Sequence, residues 1–437
     1  MENEAAIVLA AGQGTRMKSK TAKVLHPIAG QPMVAHVVNS VRGAGLGRVY
    51  VVVGHQGESV RQVVNASECV TQSQQLGTGH AVDQCRSHLE GFSGPVLVTY
   101  GDTPLFRPET FRKVLDFHRD QQAVAVVITA EVTDPTGYGR IMRQGAKVQR
   151  IIEHKDASEA ELAIREINTG TYCFDSELLF RYLTAVTPDN AQGEYYLPDV
   201  LPLMVADGYP VLPFLLSDAS EAAGINDRVQ LADAEAVMQR RTAEHWMREG
   251  VTIVDPSSVY IEADCRIGMD TVIQPGTCIY AGTEIGTDCS IGPHAVLEGA
   301  CVGNRCSIGP FAYLRPGTRV GSDCRIGDFV ELKNSVVGVN TKIPHHSYIG
   351  DADIGSGVNI GCGTITCNYD GQTKHRTVIE DDVFVGSNTS LVAPIRLGRR
   401  AYVGAGSTLT DDVPAAALAL GRARQVNKKQ WVEKHGK

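Results

Sequence analysis

What this sequence lacks narrows its chemistry before any motif is read. No apolar run approaches membrane-spanning length. The stretch Ala5 to Ala11, behind the acidic start Met1-Glu-Asn-Glu, is too short for a secretory leader. A cytoplasmic protein with no membrane partner is expected. No CxxC pair occurs among the 11 cysteines. They are scattered, and Cys265, Cys289, Cys301, Cys306 and Cys324 fall at turn positions of the repeat described below. Such spacing argues for small, half-buried thiols in a reducing compartment, against a metal or disulfide framework. Basic charge is not in excess either. The formal net charge of −8 argues against a nucleic-acid partner and leaves anionic ligands to local basic clusters. Two nucleotide signatures are incomplete: no GK[ST] follows the first glycine turn, and the third glycine of a dinucleotide fingerprint is missing.

What the chain does have is a six-residue rhythm. From Ile261 an aliphatic residue returns at Ile267, Ile273, Ile279, Ile285, Ile291 and Leu297. After a five-residue step it resumes at Val302 and runs on through Ile308, Leu314, Val320, Ile326, Leu332, Val337, Ile343, Ile349, Ile354 and Ile360. Past an interruption it returns from Ile379 to Leu409. Neither the helical period of 3.6 nor a plain two-residue alternation produces this spacing. A left-handed parallel β-helix of hexapeptide repeats does, with each coil presenting three flat faces and the aliphatic residues stacked inside. Glycine follows many of these residues, as at Gly268, Gly286, Gly292, Gly303, Gly309 and Gly321, and is expected to supply the turn conformations.

At 437 residues the chain calls for more than one core. Ahead of the repeats, strand patterns at 5–10, Val49–Val53, Val96–Tyr100 and Ala123–Thr129 alternate with helical patterns at Met33–Ala44 and Pro108–Asp120. That alternation predicts an α/β, Rossmann-like layer with a mainly parallel sheet, and places ligands at the carboxyl ends of its strands. The turn after the first strand (AAGQGTRM, Ala10 to Met17) offers Gly12 and Gly14 for close backbone approach to phosphate. Arg16 and Lys23 add positive charge there. Asp102, just past a strand end, suits a hard cation such as Mg2+ as well as it suits a turn cap. Two glycines alone would more often mark an ordinary turn.

The polar blocks taken together are far more specific. LAAGQGTRM, QLGTGHA, YGD, GYGR, EHKD, EINTG and QGEYY, joined to a hexad tail, closely resemble bifunctional N-acetylglucosamine-1-phosphate uridyltransferase/glucosamine-1-phosphate acetyltransferase. The match runs from residue 5 to about residue 424, with the blocks in the same order. The resemblance implies a uridyltransferase (pyrophosphorylase) domain over 1–226, a helical connector over 227–249 and an acetyltransferase β-helix over 250–437. In the first domain it implies that Leu9, Ala10, Ala11, Gly12, Gln72, Gly77 and Thr78 hold the uridine. Tyr100 and Gly101 belong to the same site. Arg16 and Lys23 would neutralise the triphosphate, Asp102 and Asn226 would hold Mg2+, and Gly139, Glu153 and Asn168 would contact the sugar. Nucleotidyl transfer needs little covalent help, so positioning and charge neutralisation suffice. One departure is Ala22, where the family usually has proline, and it is expected to loosen the loop.

For the β-helix the resemblance implies acetyl transfer from acetyl-CoA to glucosamine-1-phosphate, with His345 as general base. An ammonium cannot attack a thioester, and imidazole titrates in the range needed to remove its proton. Arg315 and Lys333 would hold the sugar phosphate, and Tyr348 and Asn359 the sugar. Cys362, Asn368, Tyr369, Lys374, Ser387, Ala405 and Arg422 fall where the family binds acetyl-CoA. Four features depart from the family: Pro344 for glycine, His346 for an apolar neighbour, Cys362 for a small residue such as alanine, and a short basic tail after Val426. The helical pattern from Asp227 to Glu249 has a broken apolar stripe (Val229, Leu231, Ala234, Ala236, Val237, Ala243, Trp246, Met247), capped by Asn226 or Asp227 and ended by Gly250. Flat prism faces suit packing about a threefold axis, and the resemblance implies a homotrimer with UTP, acetyl-CoA and the two sugar phosphates as substrates.

Three rival readings exist. A zinc lyase on a β-helix needs histidines from different coils, whereas His345 and His346 are adjacent. A non-catalytic scaffold is expected to have lost Arg16, Lys23, Asp102 and Asn226, all of which are present. A nucleotidyltransferase with an inert, oligomerising tail leaves His345, Tyr348 and Asn359 without a purpose.

Overall fold

The computed structural model describes residues 3–64, 68–190 and 192–436. Met1 and Glu2 of the acidic start and Lys437 of the basic tail lie outside them. The chain divides into two compact units, Met1–Met238 and Gln239–Lys437.

The first unit is built on one twisted sheet. Its strands are β1 (Ala5–Ala10), β2 (Arg48–Val53), β3 (Cys69–Thr71), β4 (Pro95–Tyr100), β5 (Ala125–Glu131), β6 (Arg140–Gln144), β7 (Lys147–Ile152), β8 (Glu166–Asp175) and β9 (Val211–Leu215). The order across the sheet is β9-β5-β8-β4-β1-β2-β3, with the β6–β7 hairpin attached to β8. Strands β4, β1, β2 and β3 run parallel, and β8 inserts antiparallel between β4 and β5. Every residue of β1 is buried, as expected of a central strand covered on both faces. Ala5, Ile7 and Leu9 enter one core, and Ala6, Val8 and Ala10 enter the other. The covering helices include α1 (Met33–Gly43) and α2 (Pro108–Asp120), within a residue of the expected spans.

A long helix, α3 (Arg228–Arg248), follows. Asp227 caps it, its Oδ1 accepting from the backbone N–H of Val229 at 2.9 Å and Gln230 at 3.0 Å. Gly250, at φ 89°, lies just beyond its end. Ala234 is buried with Ile28, Met33, Leu105 and Ile225 of the first unit, and Ala243 joins the core of the second. Val229 and Met247, expected in the apolar stripe, are exposed instead.

The second unit is a stack of parallel coils forming three sheets, each strand pairing with the strand one coil on. Each aliphatic residue of the six-residue series from Ile261 to Leu409 is buried inside. In the interrupted coil the inward rung is Thr366, whose hydroxyl exchanges hydrogen bonds with the Gly350 backbone at 2.8 and 3.0 Å, while Ile365 is exposed. That pairing satisfies a buried hydroxyl that would otherwise be costly.

Two expectations need correction. Among the glycines that follow the aliphatic residues, Gly292 and Gly309 adopt positive φ, but Gly268, Gly286, Gly303 and Gly321 do not. A Cβ on Gly268 would sit 2.7 Å from the backbone of Gly286 in the next coil, so close stacking of coils is what demands glycine there. Left-handed turn conformations fall on other glycines, such as Gly276, Gly282, Gly317 and Gly363, and on residues such as Asp264, Asp270, Asp288, Asp323, Asn340 and Asn388, types that tolerate them best after glycine. Likewise Cys301 lies in a strand and not a turn. All eleven cysteines are free thiols.

Candidate active sites

In the first unit the carboxyl ends of β1 and β4 open onto a cleft of about 380 Å³. Leu9, Ala10, Ala11, Gly12, Lys23, Gln72, Gly77, Thr78, Tyr100, Asp102 and Asn226 all line it. The glycine turn is shaped by its basic neighbour. Gly14 sits at φ 62°, and a Cβ there would fall 2.4 Å from Cβ of Lys23. Space around Gly12 is open, as a ligand approaching the backbone would require.

Charge is concentrated at one side of the cleft. Lys23 Nζ forms an ion pair with Asp102 and donates to Asn226 Oδ1 at 3.2 Å. Arg16 Nη2 donates to the same Asn226 oxygen at 2.8 Å. The backbone N–H of Ile225 donates to the Asp102 carbonyl at 3.0 Å, which ties the GIND block, Gly224 to Asp227, to the end of β4. Two hard oxygens, one from Asp102 and one from Asn226, thus already share a cation. Among the described residues no group of three or more His, Cys, Asp or Glu side chains is arranged to hold a metal. A divalent ion held by these two oxygens would have to draw its remaining ligands from water and substrate oxygens, as Mg2+ commonly does.

The other blocks lock onto one another. Gly77, at φ 108°, lies against the Tyr195 backbone, where a Cβ would approach Tyr195 O to 2.5 Å. Gly79 N–H donates to that oxygen at 2.8 Å, and Leu197 N–H donates to Thr78 Oγ1 at 3.0 Å. Gln72 is buried and donates to the Gly77 carbonyl at 3.1 Å. Gly101 N–H donates to Leu9 O at 2.9 Å. Desolvation, with Asp102 nearby, pushes the Tyr100 phenol up from its ordinary value. Gly139, Glu153 and Asn168 also come together. Asn168 N–H donates to Gly139 O at 2.9 Å, and a Cβ on Gly139 would lie 3.2 Å from the Glu153 carboxylate. Sequence reasoning missed Gln75 and Glu194, which line the cleft, although both stand inside quoted blocks. Gln75 Nε2 donates to Ala11 O at 2.5 Å. The departure at Ala22 leaves φ at −55° and ψ at 140°, values a proline would adopt, so the loop keeps the shape expected with proline.

In the second unit the sites form columns, because equivalent positions of successive coils stack. His345 pairs in register with Asp328 one coil before it. Its Nδ1 donates to Asp328 Oδ1 at 2.5 Å, and this bond holds the Asp328 carboxyl below the usual carboxylate range. The bond fixes the tautomer and leaves Nε2 as the basic nitrogen. Asp328 was not singled out from sequence. It sits in DFVELKNS, where nothing local marks it as more than a surface carboxylate.

Further along the same corner stand Cys362, Ser387 and Ala405, all exposed. A Cβ on Gly361 would lie 2.5 Å from Ser387 N, and one on Gly386 would lie 2.5 Å from Ala405 N, so the three follow coil upon coil. Arg422 packs beside Gly406, with Cδ 3.7 Å from the position of a Cβ there. On the adjoining face Arg315 and Lys333 occupy equivalent positions of successive coils, Arg315 N–H donating to Leu332 O at 2.9 Å. Arg315 Nη1 also donates to Glu331 Oε1 at 2.9 Å, and Glu331 pairs in register with Tyr348. Asn359 stands on the His345 face, paired with Lys342.

The loop after Cys367 brings Lys374 beside Lys333, and that neighbour lowers the Lys374 ammonium from its ordinary value. Tyr369 is exposed and bridges to Lys374. Asn368 is buried and donates to Asp351 Oδ2 at 2.5 Å. Burial opposes ionisation of Asp351, yet hydrogen bonds from Asn334 and Asn368, with Lys333 and Lys374 nearby, hold its carboxyl below the ordinary range. Gly327 faces the backbone carbonyl of Pro344, where a Cβ would lie 1.8 Å away, so position 327 demands glycine. His346 turns out at φ 46° and packs on Phe329 at 5.5 Å between ring centroids.

Residues 6–166 match the MobA-like NTP transferase domain, residues 258–299 and 302–334 the bacterial transferase hexapeptide, and residues 376–411 the hexapeptide repeat of succinyl-transferase. The bifunctional protein GlmU of Shouchella clausii is 50% identical over 454 residues, covering 99% of this chain and 100% of that one. The chain belongs to the bifunctional GlmU family. GlmU proteins of Geobacillus thermodenitrificans, 51% identical over 98% of this chain and 97% of theirs, and of Halalkalibacterium halodurans, 49% identical over 99% of both, agree. With membership in the GlmU family the expected pair of activities stands: the chain is a nucleotidyltransferase, a uridyltransferase, and also an acetyltransferase. Among the described residues no helix is long and apolar enough to cross a membrane.

Proposed function

We propose that the two activities divide between the two units, the uridylyltransfer at 1–226 and the acetyl transfer at 250–437, joined through the helix at 227–249. The observation that carries the acetyl-transfer assignment is the His345–Asp328 hydrogen bond on the corner that also presents Cys362, Ser387 and Ala405. Arg315 and Lys333 take the phosphate of glucosamine-1-phosphate, and Tyr348 and Asn359 its sugar. His345 Nε2 removes the proton from the amine as it attacks the thioester, and Asp328 stabilises the imidazolium that forms. Asn368, Tyr369, Lys374 and Arg422 complete the acetyl-CoA site.

In the first unit Leu9, Ala10, Ala11, Gly12, Gln72, Gly77 and Thr78 hold the uridine, with Tyr100 and Gly101 behind them. Gly139, Glu153 and Asn168 hold N-acetylglucosamine-1-phosphate, whose phosphate is already ionised at neutral pH and needs no base. Arg16 and Lys23 neutralise the triphosphate. Asp102 and Asn226 would hold Mg2+, which supplies charge neutralisation at the phosphate oxygens when bound. The chain works as a cytoplasmic homotrimer, and its hexapeptide repeats support oligomerisation.

Incubation with glucosamine-1-phosphate, acetyl-CoA, UTP and Mg2+, omitting one component at a time, tests the reading. Products should stop at N-acetylglucosamine-1-phosphate without UTP, and no sugar nucleotide should form without acetyl-CoA. Sugar nucleotide formed without any acetylated intermediate would refute it.

A further inference from the structure

The corner that carries His345 has a feature the acetyl transfer just proposed does not use. Asp328, His345 and Cys362 occupy equivalent positions of three successive coils. The Asp328–His345 register is direct, and the next coil continues from Lys342 paired with Asn359 to a hydrogen bond from Gly363 N–H to His346 O at 3.1 Å. Neighbouring strands lie roughly 4.8 Å apart, so a thiol one coil beyond an imidazole is within side-chain reach of it. The order of groups along the stack is carboxylate, imidazole, thiol.

Asp328 and His345 are bonded as in a nucleophilic triad, and the thiol beyond them is exposed. Asp328 is ionised, held below the ordinary carboxylate range by its bond from His345. His345 uses Nδ1 for that bond, and its Nε2 takes no hydrogen bond from a described residue. Cys362 is exposed, while Cys265, Cys289, Cys306 and Cys324 of the same unit are buried and donate to backbone carbonyls. An exposed thiol one coil from a base oriented by a carboxylate can form the pair from which covalent acyl transfer proceeds, and such pairs tighten when substrate binds.

We infer that Cys362 is an acetyl acceptor: in the absence of the amino sugar it takes the acetyl group from acetyl-CoA as a thioester, with His345 as its base. This rests on the acetyl-CoA site proposed above. The Cys362 thiol gives its proton to His345 Nε2, and Sγ attacks the acetyl carbonyl. The bond between that carbon and the sulfur of coenzyme A breaks, and the departing thiolate takes the proton from Nε2. One thioester replaces another, so no electrons are gained or lost and no further reactant is needed. The stored acetyl group returns to coenzyme A by the same steps in reverse. The usual alanine-sized residue at this position has no such chemistry.

The test uses the full-length protein and acetyl-labelled acetyl-CoA without sugar phosphate. Intact mass should rise by one acetyl group, with hydroxylamine-sensitive label on the peptide that contains Cys362 and equimolar release of free coenzyme A. Cys362→Ala should abolish the label, and His345→Asn should slow its appearance by about 100-fold, the scale of lost general-base catalysis. Absence of label in a preparation that does acetylate glucosamine-1-phosphate would overturn the inference and leave the acetyl-transfer reading intact. Label that persists in Cys362→Ala would overturn it equally. Absence of both label and acetyl transfer would refute the acetyl-transfer reading and the inference with it.

Discussion

The two units assemble their sites in opposite ways. The first gathers residues from across its fold: a glycine turn after β1, the end of β4 and the GIND block meet where Lys23 contacts both Asp102 and Asn226. The second stacks its residues, because a coil that repeats puts each position above its equivalent, as with Asp328 and His345. A gathered site depends on loop geometry held by many unrelated contacts. A stacked site depends on register, and register is enforced by the aliphatic column inside the prism.

Substitutions can sharpen or break that contrast. The largest expected effect is His345→Ala, which should lower acetyl transfer by about 10²–10⁴-fold and leave uridylyl transfer untouched, read by separate assays with purified sugar phosphates. Next comes Lys23→Ala, expected to cost about 10²–10³ in uridylyl transfer with acetyl transfer retained, since it removes a charge aimed at the phosphates. Loss of both activities in either variant would break the division.

Asp328→Asn probes the stacked site alone and should lower kcat for acetyl transfer by about 10–100-fold without a matching rise in KM. It also has a pH signature. The folded-state value of Asp328 is depressed, so the hydrogen bond from His345 to its ionised carboxylate contributes above the unfolded carboxylate value of about 4 and is lost as pH falls through the lower folded value. Thermal scans below about pH 4 should therefore show the wild type losing an advantage over Asp328→Asn that it holds at pH 6. The smallest effect belongs to the gathered site: Ala22→Pro should stabilise by about 0.4–1 kcal/mol in denaturant unfolding, because the backbone there already has proline's angles.

The same contrast decides what could be read from sequence. The aliphatic series announced the β-helix because each rung faces inward, and even its gap is explained by Thr366, a hydroxyl that bonds to the backbone of the coil before it. In the first unit β1, β2, β4 and β5 and the helices α1 and α2 were legible from their apolar patterns, whereas β3 and β6 to β9 were not read from them. Much of both sites was visible only as blocks resembling a family. Asp328, Gln75 and Glu194 stayed hidden because their importance comes from what lies across the fold, not from their neighbours in the chain. The glycines misled for a related reason: at Gly268 and Gly286 the constraint is the adjacent coil, which local sequence does not display.

The division of labour can be tested most directly by mixing the two single-defect proteins. Lys23→Ala and His345→Ala, each unable alone to turn glucosamine-1-phosphate, acetyl-CoA and UTP into UDP-N-acetylglucosamine, should do so together, with N-acetylglucosamine-1-phosphate passing from one to the other through solution. An inert mixture, or a single variant that completes the conversion unaided, would contradict the account.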